Sequence, residues 1–509
     1  MITDRIDDHQ MIARLEKKSG IITIKLSDIS FERLEVSVIK TSVSDIAQIP
    51  PILAKVWIRD ERFGRVFEAI YSKRLRVMEK SSAFIDYAYY SNGLIYLNGW
   101  LPNFSRIEVF FLSDGAAHIS HSDDSISHIR SDVTNYVTSQ LKMESFTDAH
   151  GFSLAIPKCS AASDVSIVIM SGGEAFFIYS GVPEVSNSAE RIFPTVLDSW
   201  RHYGNTPLKK CLDLLAPFIS KGSCQTDYRV QTRYSTDLLG KPALSIIIPF
   251  YKEWKFIFSV LSLARKSPEN WEWIIVCDDP GISHHLSSMV LNSEDSLRRR
   301  ITFLNLMQNV GFGSANNVAA NEAGSAHLLL MNSDIWIADF KVIELALEEI
   351  KGSKFKIIGF TLLFEDGTIQ HDGISYKRAR DYDDMYLVNH PGKGLPPTFE
   401  RDLPEAIECR GVTGALMLME KQYYKRVGGF NKIYVGGDFE DADLCLSTIS
   451  ANEKIGLMRS RSIFHLERQS IRKDGMSGFG FARTLVNCRK FTERWSPFLD
   501  KQLETNSNA

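Results

Sequence analysis

The chain lacks three things at once: an apolar run of about 18 residues, closely spaced cysteines, and an excess of charge of either sign. Without the first, no segment is long enough to cross a bilayer as a helix. The opening MITDRIDDHQMIARLEKKSG also has no apolar stretch of the signal-peptide kind. The seven cysteines (159, 211, 224, 277, 409, 445 and 488) are scattered, which suits neither a disulfide framework nor a structural zinc site. With 59 basic and 62 acidic residues, the formal net charge is -3, so there is no basic field for nucleic acid. Together these absences set the expectation of a cytoplasmic protein with no nucleic-acid partner. What is present is an ordinary globular composition, 44% hydrophobic and 24% charged, over 509 residues, enough for two or three domains.

The pattern changes near residue 240. Residues 1–75 are the least legible, with strand candidates in GIITIKLS and LEVSVIK. From 76 to 185, short β-branched and aromatic runs separated by turn residues (GLIYLNGWLP, RIEVFFLSDG, FSLAIP, VSIVIMSGGEAFFIY) predict an antiparallel, sandwich-like β domain. Residues 186–240 include FPTVLDSWRHYGNTPLKKCLDLLAPFIS, whose apolar spacing is helical, and read as a linker.

From 241 to 500 strands and helices alternate. ALSIIIPFY, WEWIIVCDD and HLLLMNSD are apolar on both faces, and WKFIFSVLSLAR and ANNVAANEAG have helical period. That alternation predicts an α/β domain, a mostly parallel sheet with helices on both faces. Ligands bind such sheets at the carboxyl ends of the strands. Asp278 and Asp279 close one strand there, and Asn332, Ser333 and Asp334 close another. Acids gathered at one sheet edge repel each other and are stabilised by a divalent cation or by donors from a ligand.

Eight segments in order, SIIIPFY, WEWIIVCDD, NVGFGSANNVAA, LLLMNSD, DGTIQHDG, GVTGALMLMEKQYYKRVGGF, FEDADLCL and IFHLERQS, resemble the GT-A fold of family 2 inverting glycosyltransferases. They are most similar to the rhamnosyltransferase-like bacterial branch that builds surface polysaccharide and O-antigen. The resemblance covers roughly 243–497, about half of the chain.

It implies site residues one by one. Pro249 and Tyr251 on the first strand and Asp278, or its neighbour Asp279, would hold the nucleoside, since an ionised carboxylate only accepts hydrogen bonds and suits base N–H or ribose hydroxyl donors. Asn309, Gly311 and Asn316 would line the nucleotide, with Gly311 and Gly313 permitting close backbone approach. Asp334, in place of the family's D-x-D aspartate, and His465 would hold Mn²⁺ or Mg²⁺ against the diphosphate. Gly411, Thr413 and Gly414 would face the donor sugar and acceptor. Asp441 would be the general base with Glu440 beside it. Asp443 would orient the helix that carries them, while the role of His371 is left open.

The reaction implied is a single displacement with inversion at the anomeric carbon, from a nucleotide-sugar donor to a glycan or lipid-linked acceptor. A lipid-linked acceptor would entail peripheral contact with the inner membrane. Where processive relatives have Q-x-x-R-W, this chain has FTERW, with Phe491 for the glutamine, so one or a few transfers per acceptor are expected. The competing expectation is a glycan-binding or scaffold protein with an inactive carboxyl half, in which Tyr96 or Trp100 of the β domain stacks on sugar.

Overall fold

The structure is a computed structural model. It describes residues 227–352, 354–399, 405–466 and 479–507, together with the amino-terminal strands, a few residues between them and the helix Leu208–Ile219. The chain divides into two compact units, Met1–Phe218 and Ile219–Ala509.

In the first unit, Ile2–Asp7, Gln10–Lys17, Gly20–Ser30 and Arg33–Val38 form a four-stranded antiparallel meander. Two five-stranded, mainly antiparallel sheets follow. Leu94–Trp100 is the middle strand of one, paired with Phe84–Ser91 and with Gly151–Pro157. Val165–Ser171 is the middle strand of the other, in a hairpin with Glu174–Gly181. The short alternating runs do form strands, as their composition dictates. Tyr96 does not offer a stacking face. It is 1% exposed, on a strand paired on both sides, and its hydroxyl donates to Ser153 Oγ at 3.0 Å. In the helix Leu208–Ile219, Leu208, Cys211, Leu212 and Leu215 are buried at helical spacing; the rest of the linker segment before it, Val196 apart, lies outside the described residues.

The second unit is built on a nine-stranded mixed sheet. Its order is Tyr228–Thr232, Ile301–Leu306, Trp271–Cys277, Leu244–Phe250, His327–Met331, Leu416–Glu420, Ile357–Phe360, Ile455–Met458 and Ile407–Cys409. The strands Ile301–Leu306, Trp271–Cys277, Leu244–Phe250 and His327–Met331 run parallel. Alternate residues divide between two cores. Ile246, Ile248, Trp273, Ile275 and Leu329 pack with the helices Ile257–Lys266 and Lys341–Lys351 on one face, and Ile247, Ile274, Val276, Leu328 and Leu330 pack with Phe312–Glu322 on the other. Burial on both faces explains why these strands read as unbroken apolar runs.

The chain builds outward from Leu244–Phe250 in one direction, then returns to lay His327–Met331 on its other side. That reversal opens a crevice at the carboxyl ends of the two strands, the position where such sheets take ligands. A second, four-stranded sheet sits in the same part of the chain order: Ile335–Ile337, Ile463–His465, Leu362–Leu363 and Ile369–His371.

Candidate active site

Three groups of residues gather at this crevice. The first surrounds Asp278, which follows the strand Trp271–Cys277. Asp278 is 2% exposed, and its carboxylate accepts hydrogen bonds from the amides of Val310 (2.7 Å) and Gly311 (3.0 Å) and from Asn309 Nδ2 (3.2 Å). It therefore fastens the turn that launches Phe312–Glu322, and Gly311 takes φ 84° there without steric cost. Asp279 accepts from Gly281 N (2.9 Å) and Lys252 N (3.2 Å). Lys252 is held at φ 61°, a left-handed conformation that asparagine adopts more readily. Tyr251 is 47% exposed beside it, and Pro249 is half-buried on the strand. Asn316 is fully buried; its Nδ2 donates to Phe312 O at 3.0 Å.

The second group is formed by the small sheet. Antiparallel pairing of Ile335 with His465 places His465 Nε2 3.1 Å from Asp334 Oδ1, and Leu466 N donates to Asp334 O at 3.0 Å. The other ring nitrogen, Nδ1, lies 2.7 Å from the Gln370 side-chain nitrogen, and Asn332 Nδ2 is 3.5 Å from Nε2. Among the described residues no three His, Cys, Asp or Glu side chains converge as a metal cluster. Asp334 and His465 nonetheless make a mixed oxygen and nitrogen pair of the kind Mn²⁺ accepts, with further positions left to phosphate and water. With Gln370 as donor to Nδ1, the imidazole proton sits on Nε2 and faces Asp334. Turning the Gln370 amide over puts its oxygen against an Nδ1 proton and leaves the Nε2 lone pair for a metal.

The third group comes from the helix Glu440–Ser450. Asp441 Oδ2 accepts the Gly414 amide at 2.9 Å and Oδ1 accepts the Ala442 amide at 2.7 Å. A β-carbon on Gly414 would lie 3.3 Å from Asp441 Cβ and 3.3 Å from the Phe312 ring, so a side chain here would press Asp441 and the ring back by a few tenths of an ångström. Gly411 serves packing, since a β-carbon there would meet Tyr376 and Ile374 at 3.0 and 3.1 Å. Glu440 is 5% exposed; burial first, then the neighbouring Asp441 charge, pushes its carboxyl up to about 8. Asp443, 3% exposed, accepts from Trp495 Nε1 (2.7 Å) and the Tyr434 hydroxyl (2.9 Å) and pairs with Arg494 Nε (2.9 Å). It ties this helix to the carboxyl-terminal helix Phe479–Ser507.

A cavity of about 270 Å³ brings Thr413, Gly414, Glu440, Asp441 and His465 together, with Asn332, Gln370 and Phe312 in its wall. Pro249, Tyr251, Asp278, Asn309, Gly311, Asn316, Gly411 and Asp334 do not line it, Asp334 lying behind His465 through their 3.1 Å contact. His371, His390 and Lys393 do, and were not expected from the sequence. His371 Nε2 accepts the amides of Thr413 (3.2 Å) and Gly373 (3.3 Å), so its proton is on Nδ1, 2.8 Å from His390 Nδ1. Burial, with His390 adding to it, holds His371 well below the ordinary histidine value, and it is neutral at pH 7. DGTIQHDG was the signal for this wall, but neither Gln370 nor His390 could be joined to the site without the fold.

Residues 245–428 match the family model Glycosyl transferase family 2. These residues form a family 2 glycosyltransferase domain. The chain is 22% identical over 254 residues to the O-antigen biosynthesis protein RfbC of Myxococcus xanthus, covering 48% of this chain and 19% of that protein. It is 29% identical over 146 residues to a Bacillus subtilis protein named as a teichuronic acid biosynthesis glycosyltransferase, TuaG, covering 28% of this chain and 57% of the relative. The chain thus spans between about a fifth and somewhat over half of these relatives' lengths. Among solved structures it is similar to GalNAc-T7 with UDP, GalNAc and Mn2+, at TM-score 0.35 and 11% identity over 45% of this chain and 44% of that one. It is also similar to the mannosyltransferase PcManGT of Pyrobaculum calidifontis in complex with GDP-Man and Mn2+, at TM-score 0.31 and 10% identity over 55% of this chain and 71% of the other. Among the described residues no helix of either unit is long and apolar enough to cross a membrane.

Proposed function

We propose that the protein transfers a sugar, with inversion, from a nucleotide-diphospho-sugar to a glycan or lipid-linked acceptor of a bacterial surface polysaccharide. One observation carries the reading: Asp441, held by the Gly414 amide at 2.9 Å, opens on the same cavity as His465, which is itself bonded to Asp334. A base for the acceptor and one of the two residues that would anchor the leaving diphosphate thus line one small space. Names of relatives in O-antigen and teichuronic acid synthesis support the surface-polysaccharide setting.

In this mechanism Asp441 takes the proton of the attacking hydroxyl. The Gly414 and Ala442 amides fix the carboxylate's direction, so it pays little to reorient during attack. Pro249, Tyr251 and Asp279 border the nucleoside, and Asp278 acts by holding Asn309 to Gly311 in place. Asp334 and His465 would hold a divalent ion, Mn²⁺ or Mg²⁺, which when bound supplies charge neutralisation at the leaving diphosphate. Thr413 and Gly414 set the floor on which the transferred sugar rests.

The test is calorimetric titration of the full chain with UDP, GDP, dTDP and CMP, with and without Mn²⁺, repeated on Asp334→Ala. Binding of one nucleotide that depends on metal and is lost in the variant is the expected result. No binding under any condition would overturn the proposal and favour a glycan-binding role instead.

A further inference from the structure

Two buried acids in the second unit are treated in opposite ways. Glu272, 2% exposed, accepts from Ser245 Oγ (2.6 Å), Thr302 Oγ1 (2.7 Å) and Gly324 N (2.8 Å), the environment an ionised carboxylate needs. Glu440 has no such shell. Its Oε2 is buried without a hydrogen-bond partner, and among the described residues no ion pair reaches it, yet the side chain lines the cavity beside Asp441. Ionised, that carboxylate would lose its hydration for little more than a hydrogen bond from its own backbone amide and a weak attraction to Arg483. A protonated one has a hydroxyl to give.

We infer that Glu440 keeps its proton at neutral pH and, as a carboxylic acid, donates a hydrogen bond to an oxygen of the sugar bound in this cavity. The inference rests on the transferase reading above and adds a division of labour. Asp441 accepts two backbone amides and works as the carboxylate, while Glu440 works as the acid, two adjacent carboxyl groups set apart by their surroundings. The groups around Glu440 agree with this. Asp441 and, less strongly, Asp438 on its own segment oppose its ionisation, while its own backbone amide and, more weakly, Arg483 of the carboxyl-terminal helix favour it. Phe312 and Gly313 on the facing helix bring no charge, and His371, His390, Lys393 and His465 stand across the cavity. Burial is the largest influence, and with these neighbours it raises the group to about 8.

The donated bond has a source that experiment separates, the donor sugar or the acceptor sugar. Infrared difference spectra of the full chain, wild type minus Glu440→Gln, are recorded from about pH 5 to about pH 10. The expected result is a protonated-carboxyl C=O band at pH 7 that is absent from the variant and vanishes as pH rises through about 8. Carboxyl-labelled glutamate followed by NMR reads the same proton in the unsubstituted protein. Addition of UDP-glucose, UDP-N-acetylglucosamine, GDP-mannose or dTDP-rhamnose should shift the band if the donor sugar is the partner. A shift only with added p-nitrophenyl glycosides assigns it to the acceptor. No band at pH 7 overturns the inference. A band that stays unmoved while calorimetry shows a nucleotide sugar bound, and glycosides too leave it unmoved, overturns the sugar contact and leaves the transferase reading standing. Absence of any nucleotide-sugar binding overturns that reading, and this inference with it.

Discussion

The Gly414 amide donates to Asp441 Oδ2 at 2.9 Å, joining the strand that enters the sheet at Leu416 to the first turn of the helix Glu440–Ser450. Together with the Ala442 amide on Oδ1, this bond sets the direction of the proposed base. Asp441→Asn keeps one oxygen for one of the two amides, turns its NH₂ toward the other, and removes the proton acceptor; the helix N-terminus at Ala442 can rehydrate, so the structural cost is small beside the chemical one. Transfer should fall by about 10²–10⁴-fold with the melting temperature nearly unchanged, which kinetics and calorimetry on the same preparation would show.

Gly414→Ala tests the same contact from the other side. Its new methyl would stand 3.3 Å from Asp441 Cβ and from Phe312 Cε1, and 3.4 Å from Phe430 Cζ. Asp441 must shift by a few tenths of an ångström, so the expected loss is mainly in kcat rather than in nucleotide affinity. Equal losses in both would show that the glycine serves the donor pocket as a whole.

Gln370 supports His465 through Nδ1 at 2.7 Å. Replacing it with leucine removes the partner that selects the ring's proton position, and metal-dependent nucleotide affinity should weaken by about 10–100-fold. Calorimetry with Mn²⁺ checks this, and metal-free affinity should not change.

Stability should respond to pH in two opposed ways. His371 is depressed in the fold from an ordinary 6.5, so its contribution is present above that value and is lost as pH falls below it. Glu440 is raised from 4.5 to about 8, so its contribution is full below 4.5 and is lost as pH climbs through about 8. Thermal unfolding followed against pH should lose its acid-side slope in part in His371→Gln and its alkaline-side slope in part in Glu440→Gln. An unchanged profile in either variant would refute that assignment.

Asp443→Ala leaves Trp495 Nε1, the Tyr434 hydroxyl and Arg494 without their shared acceptor. Arg494 is about half exposed and keeps its hydration, so the loss comes mainly from the two buried donors and is expected at about 1–3 kcal/mol, with hydrogen exchange accelerating in the helix Phe479–Ser507 before the sheet.

Three strands of the sheet, Leu244–Phe250, Trp271–Cys277 and His327–Met331, were legible because burial on both faces writes unbroken apolar runs, and the carboxyl ends of two of them located Asp278 and Asp334; edge strands such as Tyr228–Thr232 and Ile407–Cys409 are mostly exposed and write no such run. The amino-terminal strands were equally plain in GLIYLNGWLP and FSLAIP. Tyr96 was misjudged because alternation tells which residues share a face and not which face meets the core. What sequence could not supply was the meeting of distant short strands. Ile335–Ile337 and Ile463–His465 are three residues each, too brief to carry a period, yet their pairing creates the Asp334 and His465 contact. The His371 and His390 pair depends in the same way on a close approach that no local pattern encodes.

That small sheet also bears on how the protein is made. Asp334 and His465 are separated by 131 positions in the chain, so the loop that joins them must close after the central strands exist, and such distant pairings form slowly. During synthesis the first parallel strands would emerge and condense while His465 was still inside the ribosome. A chain interrupted before that residue would then have the central strands but neither the pairing of Ile335–Ile337 with Ile463–His465 nor the contact between Asp334 and His465 that it creates.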